Sequence, residues 1–341
     1  MTPRARATML LLLAGSIAAS ATADRACAQP QLYAGLIRTQ GYVVGSPLSE
    51  SGLYRLTGDS TWVHVGWNNP RISAIASDPT DPDVLYLGAG NGVLRTEDGG
   101  RSWRITTDWH VTEAQDIAVD PNAPEQVYVA TPYGIWRSRD HGQTWTGPAA
   151  VLPPDRMFTQ TLAIDRTRAG RLFAGTWDGL FLSEDGGASW AAVSPFDGPV
   201  LDVEQSPNAP GVWLAGAQGN GVFRSGDGGR TWQRVGGSLS DKVVYSVAMD
   251  PLNARNMAAA GWGTGVYVST DGGETWARRG SRLPVQNVYE VLFDAVRPGR
   301  LWAATVEQGI FRSDDLGRTW QPAGMDGTLV FDMTFIDRKQ P

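Results

Sequence analysis

The sequence predicts an all-β protein, a single seven-bladed β-propeller of four-stranded antiparallel blades with its ring closed by the C-terminal strand joining the first blade. Three observations predict it. A nine-residue phrase recurs six times, with a degraded seventh copy at 54–62. The tryptophans that close the phrase, Trp62, Trp103, Trp145, Trp190, Trp232, Trp276 and Trp320, are spaced by 41, 42, 45, 42, 44 and 44 residues. With strand-like content, that period marks propeller blades. Finally, the two ends of the chain carry complementary pieces of one blade.

Each period follows one grammar. A first, alternating run ends in an acidic turn, as in DIAVDPNAP (116–124). A second run is short and apolar, as in VLYLGAG (84–90) and LFAGTW (172–177). A third opens on glycine, as in GVFRS, and leads into the phrase, whose Trp begins a fourth run such as TWQRV (231–235). Short β-rich runs parted by Gly, Pro and Asp turns make one antiparallel blade. The first segment starts at a second strand, around Leu32-Tyr33-Ala34, and the last, LVFDMTFID (329–337), is a first strand with nothing after it. Joining the two closes the ring and leaves no free sheet edge.

Composition agrees. Glycine makes up 41 of 341 residues, above the usual 7% or so, and supplies the turns. With 42% apolar residues the chain has enough to bury a core, which excludes wholesale disorder. A net charge of −6 disfavours binding to nucleic-acid phosphates. Residues 1–28 read as a signal peptide: Arg4 and Arg6, an apolar run from Met9 to about Ala19, and small-residue sites for cleavage after Ala23 or Ala28. The propeller is therefore expected over 29–341, periplasmic or secreted, with a mature charge of about −8. The run is too short to span a bilayer and no later one approaches that length, so no membrane span is expected. Cys27 is the only cysteine, which leaves no scope for disulfides or cysteine chemistry in the folded part.

The phrase has a structural reading. Asp98, Asp140, Asp185, Asp227, Asp271 and Asp315 are placed to accept N–H bonds in their own turn, with the flanking Ser/Thr hydroxyls assisting. The indoles of Trp103, Trp145, Trp190, Trp232, Trp276 and Trp320 are expected to pack on the blades. Six near-equal carboxylates spread around a ring cannot converge on one substrate. The acidic turns such as Asp78-Pro79-Thr80-Asp81 are read as strand connectors, so neither a metal nor a cofactor is expected.

The phrase S-x-D-x-G-x-T-W resembles the Asp-box, or BNR repeat, over nearly the whole chain after the leader. Propellers of that kind include sialidases, two-domain xyloglucanases, sortilin-type receptors and photosystem II assembly or stability factors. The last are similar in scale, with boxes of the RSTDGGKTW type. The enzymatic signatures of the others are missing here. Pro70-Arg71-Ile72-Ser73 lacks the final Pro of the sialidase R-I-P motif. In Ile37-Arg38-Thr39-Gln40-Gly41, Gln40 stands where the xyloglucanase motif implies a catalytic Asp, and an amide cannot act as general acid or base. No G-x-S-x-G or dinucleotide fingerprint occurs, and His64, His110 and His141 are too far apart for a local metal motif.

Two functions follow as expectations. The first is a monomeric, non-catalytic scaffold that binds a protein partner or a glycan. The second is a glycoside hydrolase with an unrecognised carboxylate pair. Either uses the face opposite the boxes, where the repeats diverge. Its candidate binding residues are Trp67, Arg71, Trp109, His110, Tyr133, Trp177, Asp178, Trp262, Arg282 and Glu307; for a hydrolase, Asp178, Glu307 and Asp108 are the candidate catalytic groups. The stretch from Leu36 to Ser51, unmatched in other blades, is read as a lid or docking arm on that face.

Overall fold

A computed structural model describes residues 29–40, 51–69, 71–148, 157–280 and 283–338. The leader, most of the 36–51 stretch, Pro70 and the candidate Arg282 lie outside the described residues.

Seven antiparallel sheets form the ring. The first blade runs, from the channel outward, Thr328–Arg338, Gln29–Arg38, Gly52–Leu56 and Trp62–Val65. The chain's last strand is thus the inner strand of its first blade. It pairs with Gln29–Arg38 along its length, Leu32 opposite Phe335 and Ile37 opposite Leu329. The other inner strands are Ile72–Ser77, Asp116–Val119, Thr159–Ile164, Val200–Gln205, Ser246–Met249 and Val288–Phe293. Blade 3 departs from the pattern. Its sheet has three strands, and its fourth is reduced to one bridge, Arg137 to Thr146. Gly147 and Pro148 follow, and proline has no N–H with which to extend a ladder.

The core lies between blades rather than within them. Seven apolar layers each join two neighbouring blades. In the layer between blades 4 and 5, Phe173, Leu180, Trp213, Phe223 and Trp232 pack together. The second strands of blades 2 to 7 are wholly buried, with both faces against protein, which is why they read as unbroken apolar runs.

Close approach sets the residue opposite one position of each inner strand, polar in every blade but the second, where it is Ala74. The facing residue is Gly35, Gly88, Ala130, Gly175, Gly216, Ala260 and Ala304 in blades 1 to 7. A methyl group on Gly175 would stand 2.8 Å from the Val200 carbonyl of the next blade. At this level the inner strands of five blades carry a β-bulge, which sets one extra residue toward the channel: Ser73, Gln160, Leu201, Tyr289 and Phe331.

Candidate functional site

The box carboxylates are fully occupied at home. Asp185 accepts the Ser183 hydroxyl and the Ser189 N–H, each at 2.8 Å, on one oxygen, and the Ser189 hydroxyl on the other. The Ser183 oxygen in turn accepts the Gly187 N–H at 2.8 Å. The Ser189 hydroxyl and N–H hold Asp185 down at about 2. The same circuit closes on Asp98, Asp140, Asp227, Asp271 and Asp315. Each box Trp leans on the layer shared with the preceding blade, and Trp103, Trp232 and Trp276 donate their indole N–H to the carbonyls of Gly100, Gly229 and Gly273 at 3.1 Å. His141, in a variable box position, takes a positive φ of 56° and approaches Asp78 at 3.4 Å. Asp78, Asp120, Asp165, Asp250 and Asp294 accept N–H groups of their own connecting turns. Among the described residues no group of three or more His, Cys, Asp or Glu is arranged to hold a metal ion.

The opposite rim gathers the exposed aromatics. Trp109 is 80% exposed, and Trp67, Tyr133, Trp177 and Trp262 are each half exposed or more. Trp177, Tyr133 and Trp262 cap the second-to-third strand turns, while Trp67 and Trp109 sit on links between blades. An antiparallel blade puts both kinds of loop on one rim. Among the described residues, no exposed Trp or Tyr lies on the box rim. His110 stacks on Trp109 with centroids 3.6 Å apart, and its ring and N–H both bond Asp108. Tyr133 bonds Glu113, and Trp177 stacks against Phe158 at 4.9 Å.

The channel opens on this rim as a cavity of about 400 Å³. Its upper wall carries Arg71, Gln115, Gln160, Trp177, Tyr245, Tyr289 and Phe331. Arg71 lays its guanidinium 5.0 Å from the Phe331 ring and reaches Gln115 at 3.3 Å. Tyr245, Tyr289 and Phe331 form a chain of aromatic contacts at 5.5 and 5.6 Å.

Below them stands a ring of acids. At the level opposite the small residues, Asp332, Asp116, Asp202 and Glu290 occupy blades 1, 3, 5 and 7, while Ala74, Thr161 and Ser246 occupy blades 2, 4 and 6. Each acid clasps the next blade. Asp332 accepts the Ile75 N–H at 2.5 Å, Asp116 the Leu162 N–H at 2.7 Å and Asp202 the Val247 N–H at 2.7 Å, and Glu290 accepts the Met333 N–H. The carboxyls touch the lumen but are enclosed by protein, so lost hydration outweighs these donors. Burial pushes Asp116 up to about 6, Asp202 to about 7 and Asp332 to about 8, and Glu290 well above the carboxylate range.

The candidates read from sequence divide accordingly. Arg71 and Trp177 reach the cavity; Trp67, Trp109, His110, Tyr133 and Trp262 share its rim. Asp108, Asp178 and Glu307 stand on rim loops of blades 2, 4 and 7 and are not among the residues that line the cavity. The channel acids escape a reading of the sequence. Their signal is an acid preceding a buried aliphatic in an inner strand, Asp116-Ile117, Asp202-Val203, Glu290-Val291 and Asp332-Met333, where alternation alone calls for neither charge.

Fold and boxes together define the class: the chain is an Asp-box seven-bladed β-propeller. The family model described as Sortilin-Vps10 (sortilin, neurotensin receptor 3) matches residues 220–334. A xyloglucanase of Paenibacillus sp is 26% identical over 228 residues, covering 54% of this chain and 18% of that protein. A xyloglucanase of Hypocrea jecorina is 36% identical over 73 residues, 16% of this chain and 9% of that one. The chain thus spans less than a fifth of the curated relatives it matches. Among solved structures, the Niastella koreensis GH74 enzyme superposes with a TM-score of 0.72 at 18% identity, covering 89% of this chain and 55% of the other. YCF48 from Cyanidioschyzon merolae gives 0.55 at 20%, over 78% and 85%. A YCF48 bound to D1 peptide gives 0.54 at 20%, over 73% and 81%. These likenesses speak for the fold.

Proposed function

We propose that the protein is an exported, non-catalytic scaffold that captures an extended polypeptide on its aromatic rim. The observation that carries this reading is the gathering of exposed Trp67, Trp109, Tyr133, Trp177 and Trp262 on the rim where the channel opens, while the loop carboxylates Asp108, Asp178 and Glu307 are not among the residues lining the cavity. Rigid aromatic anchors around a cavity are the means by which a preformed surface holds a chain. The YCF48 with bound D1 peptide lends support through its shared fold. Export rests on the signal-like residues 1–28 and is tested by fractionating cells that express the full chain.

A second reading is favoured by the four channel carboxyls, whose raised pKa values are of the kind that general acids use. On that reading the protein is a glycoside hydrolase, with a glycan in the place of the peptide. The experiment sets Trp177→Ala and Trp262→Ala beside the parent chain in a peptide array, a glycan array and a xyloglucan turnover assay. Peptide binding weakened about tenfold or more by each variant, without turnover, is expected, since a buried aromatic anchor contributes about 2 kcal/mol or more. Both variants binding peptides like the parent overturns the scaffold. Turnover abolished by Asp202→Asn moves the function to hydrolase.

A further inference from the structure

The alternation of acid and small residue around the channel cannot close on an odd number of blades. Blades 7 and 1 both carry acids, Glu290 and Asp332, side by side at the seam where the ring is held without a covalent link. The other acids face a small or hydroxyl residue in the next blade. Asp116 even takes the Thr161 hydroxyl at 3.2 Å. Glu290 has Asp332 instead, and one of its carboxyl oxygens, Oε2, is buried without a hydrogen-bond partner. A carboxyl oxygen left bare in such a place is costly unless something else meets it.

The surroundings say what would meet it. The cavity of about 400 Å³ gives access from the aromatic rim and is large enough for a side chain or small ligand. Tyr289 and Phe331, the bulged residues that immediately precede Glu290 and Asp332, form an aromatic shelf above them, with Tyr245 alongside. Arg71 already rests its guanidinium over Phe331, so the shelf suits an organic cation. No described cluster suits a metal ion.

We propose that the channel mouth at the seam of blades 7 and 1 is a binding site for an organic cation, the ammonium or guanidinium of a Lys or Arg side chain on the captured polypeptide, with Glu290 and Asp332 as its counter-charges and Tyr289 and Phe331 as its shelf. This rests on the polypeptide reading above. The titratable and charged groups facing the seam are Asp332, Asp116, Asp202, Tyr245, Tyr289 and Arg71. Because burial keeps protons on the acids, entry of the cation displaces one into solvent.

The test is calorimetry on the full chain with Nα-acetyl-lysine methylamide and its neutral isostere Nα-acetyl-norleucine methylamide, in two buffers of different ionisation heat at pH 7. The lysine compound is expected to bind at least tenfold more tightly and to release a proton, and Glu290→Gln to remove the preference. Should that variant not fold, Asp332→Asn takes its place, and the charged-against-neutral comparison needs no variant. Equal binding of the two compounds, no binding of either, or an unchanged preference in a folded variant overturns the site. Failure here with peptides still held through Trp177 and Trp262 sinks the cation site alone. Amine binding without peptide capture sinks the scaffold and leaves the channel as a small-cation site.

Discussion

Trp232 shows what a box residue is for. Its ring is only 5% exposed, edge-on to Phe173 of the preceding blade at 5.9 Å, and its N–H is spent on the Gly229 carbonyl at 3.1 Å. Replacing it by alanine leaves a cavity between blades 4 and 5, and a loss of roughly 3–5 kcal/mol is expected. Urea unfolding measures it, and a variant as stable as the parent would show that the indole is not a packing element. The position of this tryptophan in the phrase is legible from its period. Its partner is not, because the ring crosses to a neighbouring blade whose apolar run reads like any other.

At the scale of the element, the closing strand carries the strongest consequence. Thr328–Arg338 buries Val330, Met333 and Ile336 and supplies a complete ladder to Gln29–Arg38. Three such side chains contribute about 1.5–3 kcal/mol each, which alone approaches the 5–15 kcal/mol that holds a typical domain together. A chain ending at Gly327 is expected to lose its cooperative thermal transition; calorimetry that finds the parent's melting temperature would refute closure through this strand. The complementary ends make this strand readable from the residues alone. The bulges are not, since a break in alternation is not assigned to an extra residue in one strand until its pairing partner is known.

At the scale of the whole molecule, two sets of carboxyls pull stability in opposite directions with pH. The box aspartates, typified by Asp185 at about 2 through its Ser189 bonds, stabilise the fold above pH 4 or so and cease to do so as pH falls toward 2. The channel acids are raised on folding by burial, Asp116 to about 6, Asp202 to about 7 and Asp332 to about 8. Their contribution is complete below about pH 4 and is lost as pH climbs through those values. The melting temperature is therefore expected to peak in mildly acidic solution and decline toward pH 8, and the double variant Glu290→Gln, Asp332→Asn to flatten the alkaline side. A melting temperature that stays level from pH 5 to pH 9 in the parent chain would contradict the buried ring of acids.

By itself the sequence determined the blade count, the strand grammar, the closure and the rim on which the aromatics gather. All of these follow from periodicity and from the up-and-down course of an antiparallel blade, which are local properties. Only the tertiary structure decided what lies in the channel. Asp116, Asp202, Glu290 and Asp332 are 86, 88 and 42 residues apart in turn, and each looks alone like a strand-edge charge. They become one site because the ring brings every inner strand to the same axis, and because an alternation with acids in blades 1, 3, 5 and 7 of an odd ring sets two acids side by side at the seam.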